Sequence, residues 1–303
     1  MRITKSKTTI KVSRRDIATA YAFILPFYLI FLVFTVVPIA LSLFLGFTQF
    51  NMLQKPVFIG LDNYTRLFLE DQIFIKAIGN TLLLATITGP LGYLIAFMTA
   101  WFINELRPRM RAFVTLIFYA PSISGNMYLI WQLMFSGDSY GYINGLLLKL
   151  NVITEPIIWF KNEKYMIPLI CVVALWGSLG TSFLSFIAGF QGVDKSYYEA
   201  AAVDGLKNRW QELWYVTLPM MKPQLLFSAV MSITGSFGIG GLISSLCGFP
   251  TVNYAAHTIM NHLEDYGGQR YEIGYASAIS TVLCILMIVC NKLVQKMLSK
   301  VST

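Results

Sequence analysis

Six stretches of this chain run without a charged residue for long enough to cross a lipid bilayer, and that spacing of charge constrains its fold more than any other feature. Between Asp16 and Lys55 lie residues 17–54, 38 positions without a charge. The other long gaps run from Lys76 to Glu105, Arg111 to Asp138, Lys164 to Asp194, Lys222 to Glu264 and Glu272 to Lys292. A charged side chain at the centre of a spanning helix costs roughly 2.5–3.5 kcal/mol on insertion scales, and a span needs about 20 apolar residues. Each gap therefore holds one span. Only 13% of the 303 residues are charged and 56% are hydrophobic, with a mean hydropathy of +0.61; soluble domains carry about 25% charged residues.

The net charge of +8 invites a nucleic-acid reading, but the placement of the charges argues against it. With the N-terminus inside, the cytoplasm receives Arg2, Lys5, Lys7, Lys11, Arg14, Arg15, Arg107, Arg109, Arg111, Lys195, Lys207, Arg209, Lys222, Lys292, Lys296 and Lys300, 16 of the 23 basic residues. The outside receives 7, and the 15 acids divide 6 inside to 9 outside, a balance of +10 against −2. This is the asymmetry of the positive-inside rule, so the basic composition reports orientation, with both termini cytoplasmic and the lipid bilayer, not nucleic acid, as the partner. The basic start resembles a signal peptide, yet the apolar run from Ile17 to Phe50 far exceeds an h-region of about 7–15 residues. It is read as an uncleaved first span.

The expected organisation is a basic cytoplasmic segment at 1–16 and one all-α membrane domain at 17–303, with helices over 18–47, 74–104, 111–136, 166–192, 223–247 and 272–297. Pro26, Pro38, Pro90 and Pro121 fall inside these runs, which a bundle tolerates because neighbouring helices satisfy the freed carbonyls. Three connections, 51–73, 137–165 and 248–271, lie outside, and the middle one carries Tyr140, Tyr142, Trp159, Phe160 and Tyr165. These aromatics suit a membrane interface, with sugar stacking as the alternative. Cys171, Cys247, Cys284 and Cys290 lack metal or disulfide spacing and read as packing residues.

Between the fourth and fifth spans, 194–222 is polar enough to leave the membrane yet patterned as a helix, a break and a second helix. Ser196 with Glu199 three residues on forms a capping-box pattern, Ala200, Ala201 and Ala202 favour helix, and Gly205 supplies a left-handed stop. From Arg209, the positions Trp210, Leu213, Trp214, Thr217 and Leu218 fall at helical spacing, giving one apolar face until Pro219 interrupts it.

The run Glu199-Ala-Ala-Ala-Val-Asp204-Gly205, with Leu218-Pro219 and Pro223 behind it, resembles the signature cytoplasmic loop of permease subunits of binding-protein-dependent ABC importers. The resemblance implies a type I importer permease bundle whose loop forms a coupling helix seated on an ATPase subunit. By position it assigns ATPase coupling to Glu199, Ala200, Ala201, Asp204 and Gly205. The chain departs from the pattern in a glycine to Leu-Pro spacing one residue longer than usual, around Leu206-Lys207-Asn208, and in Leu206 where alanine is common. Gly60-Leu-Asp-Asn-Tyr64, Asn80-Thr81 and Gly274-Tyr-Ala-Ser277-Ala-Ile-Ser280 are similar to the carbohydrate branch, the permeases for oligosaccharides and polysaccharide fragments. The implied partners are a second permease that is a different chain, two ATP-binding subunits that hold ATP and Mg, and an extracytoplasmic sugar-binding protein. The implied place is the bacterial cytoplasmic membrane.

Other signals are weaker. No G-x-x-x-x-G-K-[ST] run occurs, so a resident ATPase site is not expected. The glycines 235, 238, 240 and 241 lie inside an apolar span and suggest close packing or a locally opened helix rather than dinucleotide binding. His257 and His262, near Glu264 and Asp265, miss the i, i+4 spacing of a zinc pair and read as a solvated external segment. The span centres lack the carboxylates of a proton relay, which disfavours a secondary carrier and a membrane enzyme while leaving both as alternatives, together with a channel. A path for a neutral polar solute draws instead on hydroxyls, amides and aromatic faces: Ser122, Asn126, Tyr128 and Trp131 in the third span, Trp176 and Ser178 in the fourth and Ser236 in the fifth. Helix packing is an equal reading for each.

Overall fold

In a computed structural model the backbone is described over residues 14–301 and the side chains over 17–297. The basic segment at 1–16 lies outside the described residues, apart from the backbone of its last three. Helix α1 (Arg14–Phe31) passes through a π-helical turn at Leu32–Val36 into α2 (Val37–Leu45). None of the apolar window of Ile17–Leu45 is buried by the rest of the chain, as suits a helix that is apolar all round and sits in lipid. A short hairpin, β1 (Thr48–Gln49) with β2 (Val57–Phe58), pairs Thr48 with Phe58, and the one-turn α3 (Asp62–Thr65) follows.

Helix α4 (Gln72–Asn104) is 33 residues long, about 50 Å at 1.5 Å per residue. Asp71 caps it by accepting from the Phe74 N–H at 2.9 Å. Where one helix over 111–136 is expected, α5 (Pro108–Ile123) and α6 (Tyr128–Met134) stand 84° apart. The break lies at Gly125, whose φ of +56° no α-helix can contain; Pro121, inside α5, does not cause it. Then follow α7 (Tyr142–Lys149), α8 (Glu163–Gly177) and α9 (Thr181–Gly192), the last two separated at Ser178–Gly180.

The loop over 194–222 contains α10 (Lys195–Val203), α11 (Arg209–Glu212), a π turn at Leu213–Thr217 and α12 (Leu218–Met220). The expected helix over 223–247 is also divided, into α13 (Lys222–Phe237) and α14 (Gly240–Cys247) around Gly238. The glycine cluster there opens the helix, one of the two roles read for it. Helix α15 (Ile259–Glu264) leads to α16 (Ile273–Val301), which replaces the expected 272–297. Among the described residues four helices are long and apolar enough to cross a membrane, or up to six if each bent pair is one span.

Helices α4, α9 and α13 form the centre of the bundle. Their shared core places Phe186 edge-on to Tyr93 at 5.1 Å and to Phe97 at 5.3 Å, the geometry that aromatic quadrupoles favour. A second cluster around Leu67, Phe74, Ile259 and Ile279 closes the hairpin end. A third joins Leu84, Ile170, Val173 and Ile243.

The stretch 137–165 does not behave as one interface segment. Tyr140 and Tyr142 are exposed, but Phe160 is buried, and Trp159 packs on Phe135 at 5.5 Å and on Tyr165 at 5.2 Å. The reason is Asn144, fully buried, whose amide donates to the Ser136, Asp138 and Ile157 carbonyls and accepts from the Ile157 N–H and the Trp159 indole. One satisfied amide folds the stretch back onto the bundle.

Candidate functional site

Two arrangements meet the chemistry expected of the chain, and the first is the loop over 194–222. Helix α10 begins at Asp194, whose carboxylate accepts from the Ser196 N–H at 3.0 Å. The Ser196/Glu199 capping box therefore does not form: an ionised N-cap serves the helix dipole better than a hydroxyl, and Asp194 stands two residues earlier. That backbone N–H holds the Asp194 carboxyl below the usual range. Glu199 is exposed, and no hydrogen bond or ion pair engages its side chain among the described residues. Ala200, Ala202 and Asp204 are exposed beside it, while Ala201 turns inward and is buried.

The helix ends in a Schellman turn. Gly205, at φ +97°, donates to the Ala202 carbonyl at 3.2 Å, and the Leu206 N–H donates to Ala201 at 3.0 Å. The stop expected at Gly205 is the one observed. Asn208 then caps α11 by accepting from the Gln211 N–H at 2.9 Å.

The apolar face read over Trp210–Leu218 is divided. Leu213 and Thr217 are buried, whereas Trp210 and Trp214 are exposed. The π turn at Leu213–Thr217 shifts the register that a 3.6-residue period assumes. Pro219 does not interrupt the helix either; it occupies a first-turn position of α12, where its missing N–H costs nothing, and the chain bends by 82° at Met221. The Tyr198 hydroxyl meets the Thr217 hydroxyl at 2.9 Å and ties the two limbs together.

The second arrangement is a cavity of about 430 Å³ where α8, α9 and α13 are interrupted, within the size range of small-ligand sites. Of the seven expected pathway residues, Ser178 and Ser236 line it. Ser122 stands at its edge and donates to the Leu179 carbonyl at 2.7 Å, holding α5 against the break in the fourth span. Trp131 and Trp176 meet edge-on at 5.7 Å and continue into Phe135 at 6.0 Å. Tyr128 packs in the third core cluster, and Asn126 is exposed at the bend between α5 and α6.

Gly235, from the glycine cluster, also lines the cavity, as do Thr88, Thr181, Ser232 and Thr234, which residue type alone does not single out. Their signal was the pairing of small residues with the helix breaks. Ser178 and Ser236 donate to their own helices, at 2.7 Å to Leu175 and 2.8 Å to Ile233, and their side chains lie against Gly92 and Gly89 of α4, so both also serve helix packing. The lining is neutral and mixes hydroxyl side chains with apolar ones such as Met127, Met231, Ile239 and Leu242, a surface that suits an uncharged solute.

At the hairpin end the structure corrects the reading of the histidines. His257 and His262 are almost fully buried, with His257 Nε2 3.3 Å from His262 Nδ1 and His262 Nε2 3.0 Å from Asp71. Asp71, the cap of α4, also accepts from the Tyr275 hydroxyl at 2.9 Å. Spacing along the chain concealed this, because Asp71 is 191 residues from His262. One arrangement of protons satisfies the chain: His262 donates to Asp71, and His257 donates to His262. It leaves His257 Nδ1, which has no partner among the described residues, as a bare acceptor.

Burial, reinforced by His262, pushes His257 down to about 4; burial also lowers His262, against the pull of Asp71. Burial pushes Asp71 up, but the Phe74 N–H, the Tyr275 hydroxyl and His262 outweigh it, so its carboxyl sits below the usual range. A histidine depressed in the fold binds fewer protons than in the unfolded chain, so stability is complete above pH 6.5 and is lost as the pH falls toward 4. The loss approaches about 3 kcal/mol. Thermal melts of the protein in detergent between pH 7.5 and 4.5 should fall with acid (~3 units), and His257→Gln should flatten the slope; an unchanged slope would contradict the neutral assignment.

The family described as "Binding-protein-dependent transport system inner membrane component" matches residues 18–300. The chain is 32% identical over 280 residues to "Probable ABC transporter permease protein YesP" of Bacillus subtilis, covering 90% of this chain and 88% of that protein. It is 31% identical over 282 residues to "Arabinooligosaccharides transport system permease protein AraP" of the same organism, covering 90% and 86%. The fold is similar to a chain of a bacterial ABC transporter involved in the import of the acidic polysaccharide alginate, with a TM-score of 0.75, 25% identity, and coverage of 96% of this chain and 98% of that one. With interrupted spans around a neutral cavity, an exposed Glu-Ala-Ala helix ending at a left-handed glycine, and a family match over nearly its whole length, this chain belongs to the binding-protein-dependent transport system inner membrane components.

Proposed function

We propose that this chain is a permease subunit of an ATP-driven importer that carries a sugar or oligosaccharide across the bacterial cytoplasmic membrane. The observation that carries the reading is α10: a helix whose Glu199 has no partner among the described residues, flanked by small exposed residues and stopped at Gly205, beneath a bundle that offers a neutral cavity lined in part by hydroxyls. Such a helix suits close approach by another protein, and such a cavity suits hydroxylated solutes.

In this reading 194–222 is cytoplasmic, both termini lie on the same side, and Glu199, Ala200, Asp204 and Gly205 seat on one of two ATP-binding subunits, while Ala201, buried, holds α10 to the rest of this chain. Those subunits bind ATP and Mg and hydrolyse the nucleotide; this chain contributes no catalytic residue. A second permease, a different chain, completes the translocation path, and an external binding protein delivers the sugar, as the family's description and the relatives' names support. Ser178 and Ser236 line the cavity that the solute passes, Trp131 and Trp176 offer aromatic faces, and Ser122, Asn126 and Tyr128 lie at or near the bend that shapes the path. The charge asymmetry supports the orientation.

The test is an affinity purification of the tagged chain in mild detergent with mass spectrometry of its companions, followed by ATP hydrolysis and uptake of labelled oligosaccharides in liposomes. Recovery of an ATPase, a second permease and ATP-dependent uptake is expected. A chain that comes down alone and moves solute without ATP overturns the reading in favour of a carrier.

A further inference from the structure

Resting on the reading of 194–222 as the ATPase-coupling element, we propose that Arg209 with Glu105, and Trp210 with Trp101, form the linkage that transmits movement of this element to α4. The element is joined covalently to α9 and α13, which lead directly into and out of it. Helix α4 is remote in sequence, yet it packs on both and lines the cavity through Thr88. A displacement of the element reaches α4 directly only through non-covalent contacts.

Two such contacts stand side by side. Arg209 Nη2 lies 3.2 Å from the Glu105 carboxylate, at the C-cap of α4. The Trp210 ring lies 4.7 Å from Trp101, one turn earlier on the same helix. Arg209 is aimed by a second carboxylate, Glu212, at 2.7 Å. An acid at the C-terminal end of a helix opposes the helix dipole, so Glu105 is tolerable there because Arg209 neutralises it. The pair is not a stability device. Its side chains are 64% and 45% exposed, and ion pairs of that kind contribute little to folding. Both contacts use the bundle side of the element, leaving the face of Glu199 and Val203 open for another protein.

The experiment uses the complex with its co-purified ATPase in lipid nanodiscs. Thr234→Cys, on the cavity wall, is introduced in a background with the four native cysteines replaced by alanine, and its reaction with a fluorescent maleimide is timed with and without Mg-ATP and vanadate. Arg209→Glu and Trp210→Ala should retain the ATPase and its hydrolysis, while the ATP-dependent change in labelling rate falls by about threefold or more. Glu105→Arg combined with Arg209→Glu should restore it, a rescue that a general packing defect would not give. A full ATP-dependent change in both variants overturns the linkage and leaves the docking reading intact. Loss of the ATPase from Arg209→Glu overturns it too, by moving Arg209 to the docking face. A parent complex whose labelling ignores ATP with the ATPase attached overturns it because no movement is left to carry. Absence of an ATPase from the parent overturns the docking reading and the linkage together.

Discussion

Gly205→Val in the assembled complex should remove most of the co-purifying ATPase and reduce ATP-dependent uptake by about tenfold or more, while the chain still inserts and melts near the parental temperature. Gly205 holds φ at +97° and its N–H closes the turn that ends α10. A β-branched residue there carries strain of about 1–3 kcal/mol. Nothing lies within 4 Å of the position a Cβ would take, so the penalty is conformational and not steric. The turn is exposed and contributes little to the core, so the chain relieves the strain by fraying α10. The unfavourable energy then reappears in docking, where 1.4 kcal/mol is about a factor of ten in affinity. Gly205→Asn, a residue that tolerates the left-handed region, should recover much of the loss. Full attachment and uptake in Gly205→Val would show that the shape of this stop is irrelevant to coupling.

Gly274→Ala should have the opposite profile, a folding defect with no special effect on coupling. A methyl group at Gly274 would overlap the Thr48 carbonyl and press on the Phe50 N–H, and the Gly274 N–H itself donates to the Phe50 carbonyl at 3.0 Å. The obstacles are backbone atoms of the strand β1 and its continuation, which have no rotamer by which to move away. Overpacking of this kind costs about 1–3 kcal/mol or more, and here it would pry the start of α16 from the hairpin. The midpoint of thermal inactivation in detergent should drop, by about 2–4 °C for each kcal/mol, with reduced yield. Gly79→Ala on α4 is the control, since nothing lies within 4 Å of that site; it should be neutral or slightly stabilising through helix propensity. An unchanged midpoint for Gly274→Ala would mean that α16 and the hairpin are not in the contact described.

Charge gaps and hydropathy alone were enough to place α4 and α16 within a few residues of where they lie, because a continuous apolar run without charges leaves a chain in lipid few options besides helix. The stop at Gly205 was equally legible, since a left-handed residue after an alanine run is a local property of the backbone. The division of 111–136 at Gly125 and of 223–247 at Gly238 was not. A glycine inside an apolar span is compatible with a straight helix as well as a broken one, and which form it takes depends on what the neighbouring helices present to the freed carbonyls. The candidate site divides in the same way. Glu199 and its neighbours form one local motif, and their exposure follows from helix periodicity and a short cap. The cavity lined by Ser178 and Ser236, the Arg209–Glu105 pair and the buried path from His257 through His262 to Asp71 each join residues from distant parts of the chain. Amino-acid order alone was enough for a membrane-spanning helical chain and a polar loop of recognisable pattern. Only the tertiary structure decided where those spans break, which hydroxyls share a cavity and which charges are buried, because these depend on the packing of helices against one another and not on the properties of any one of them.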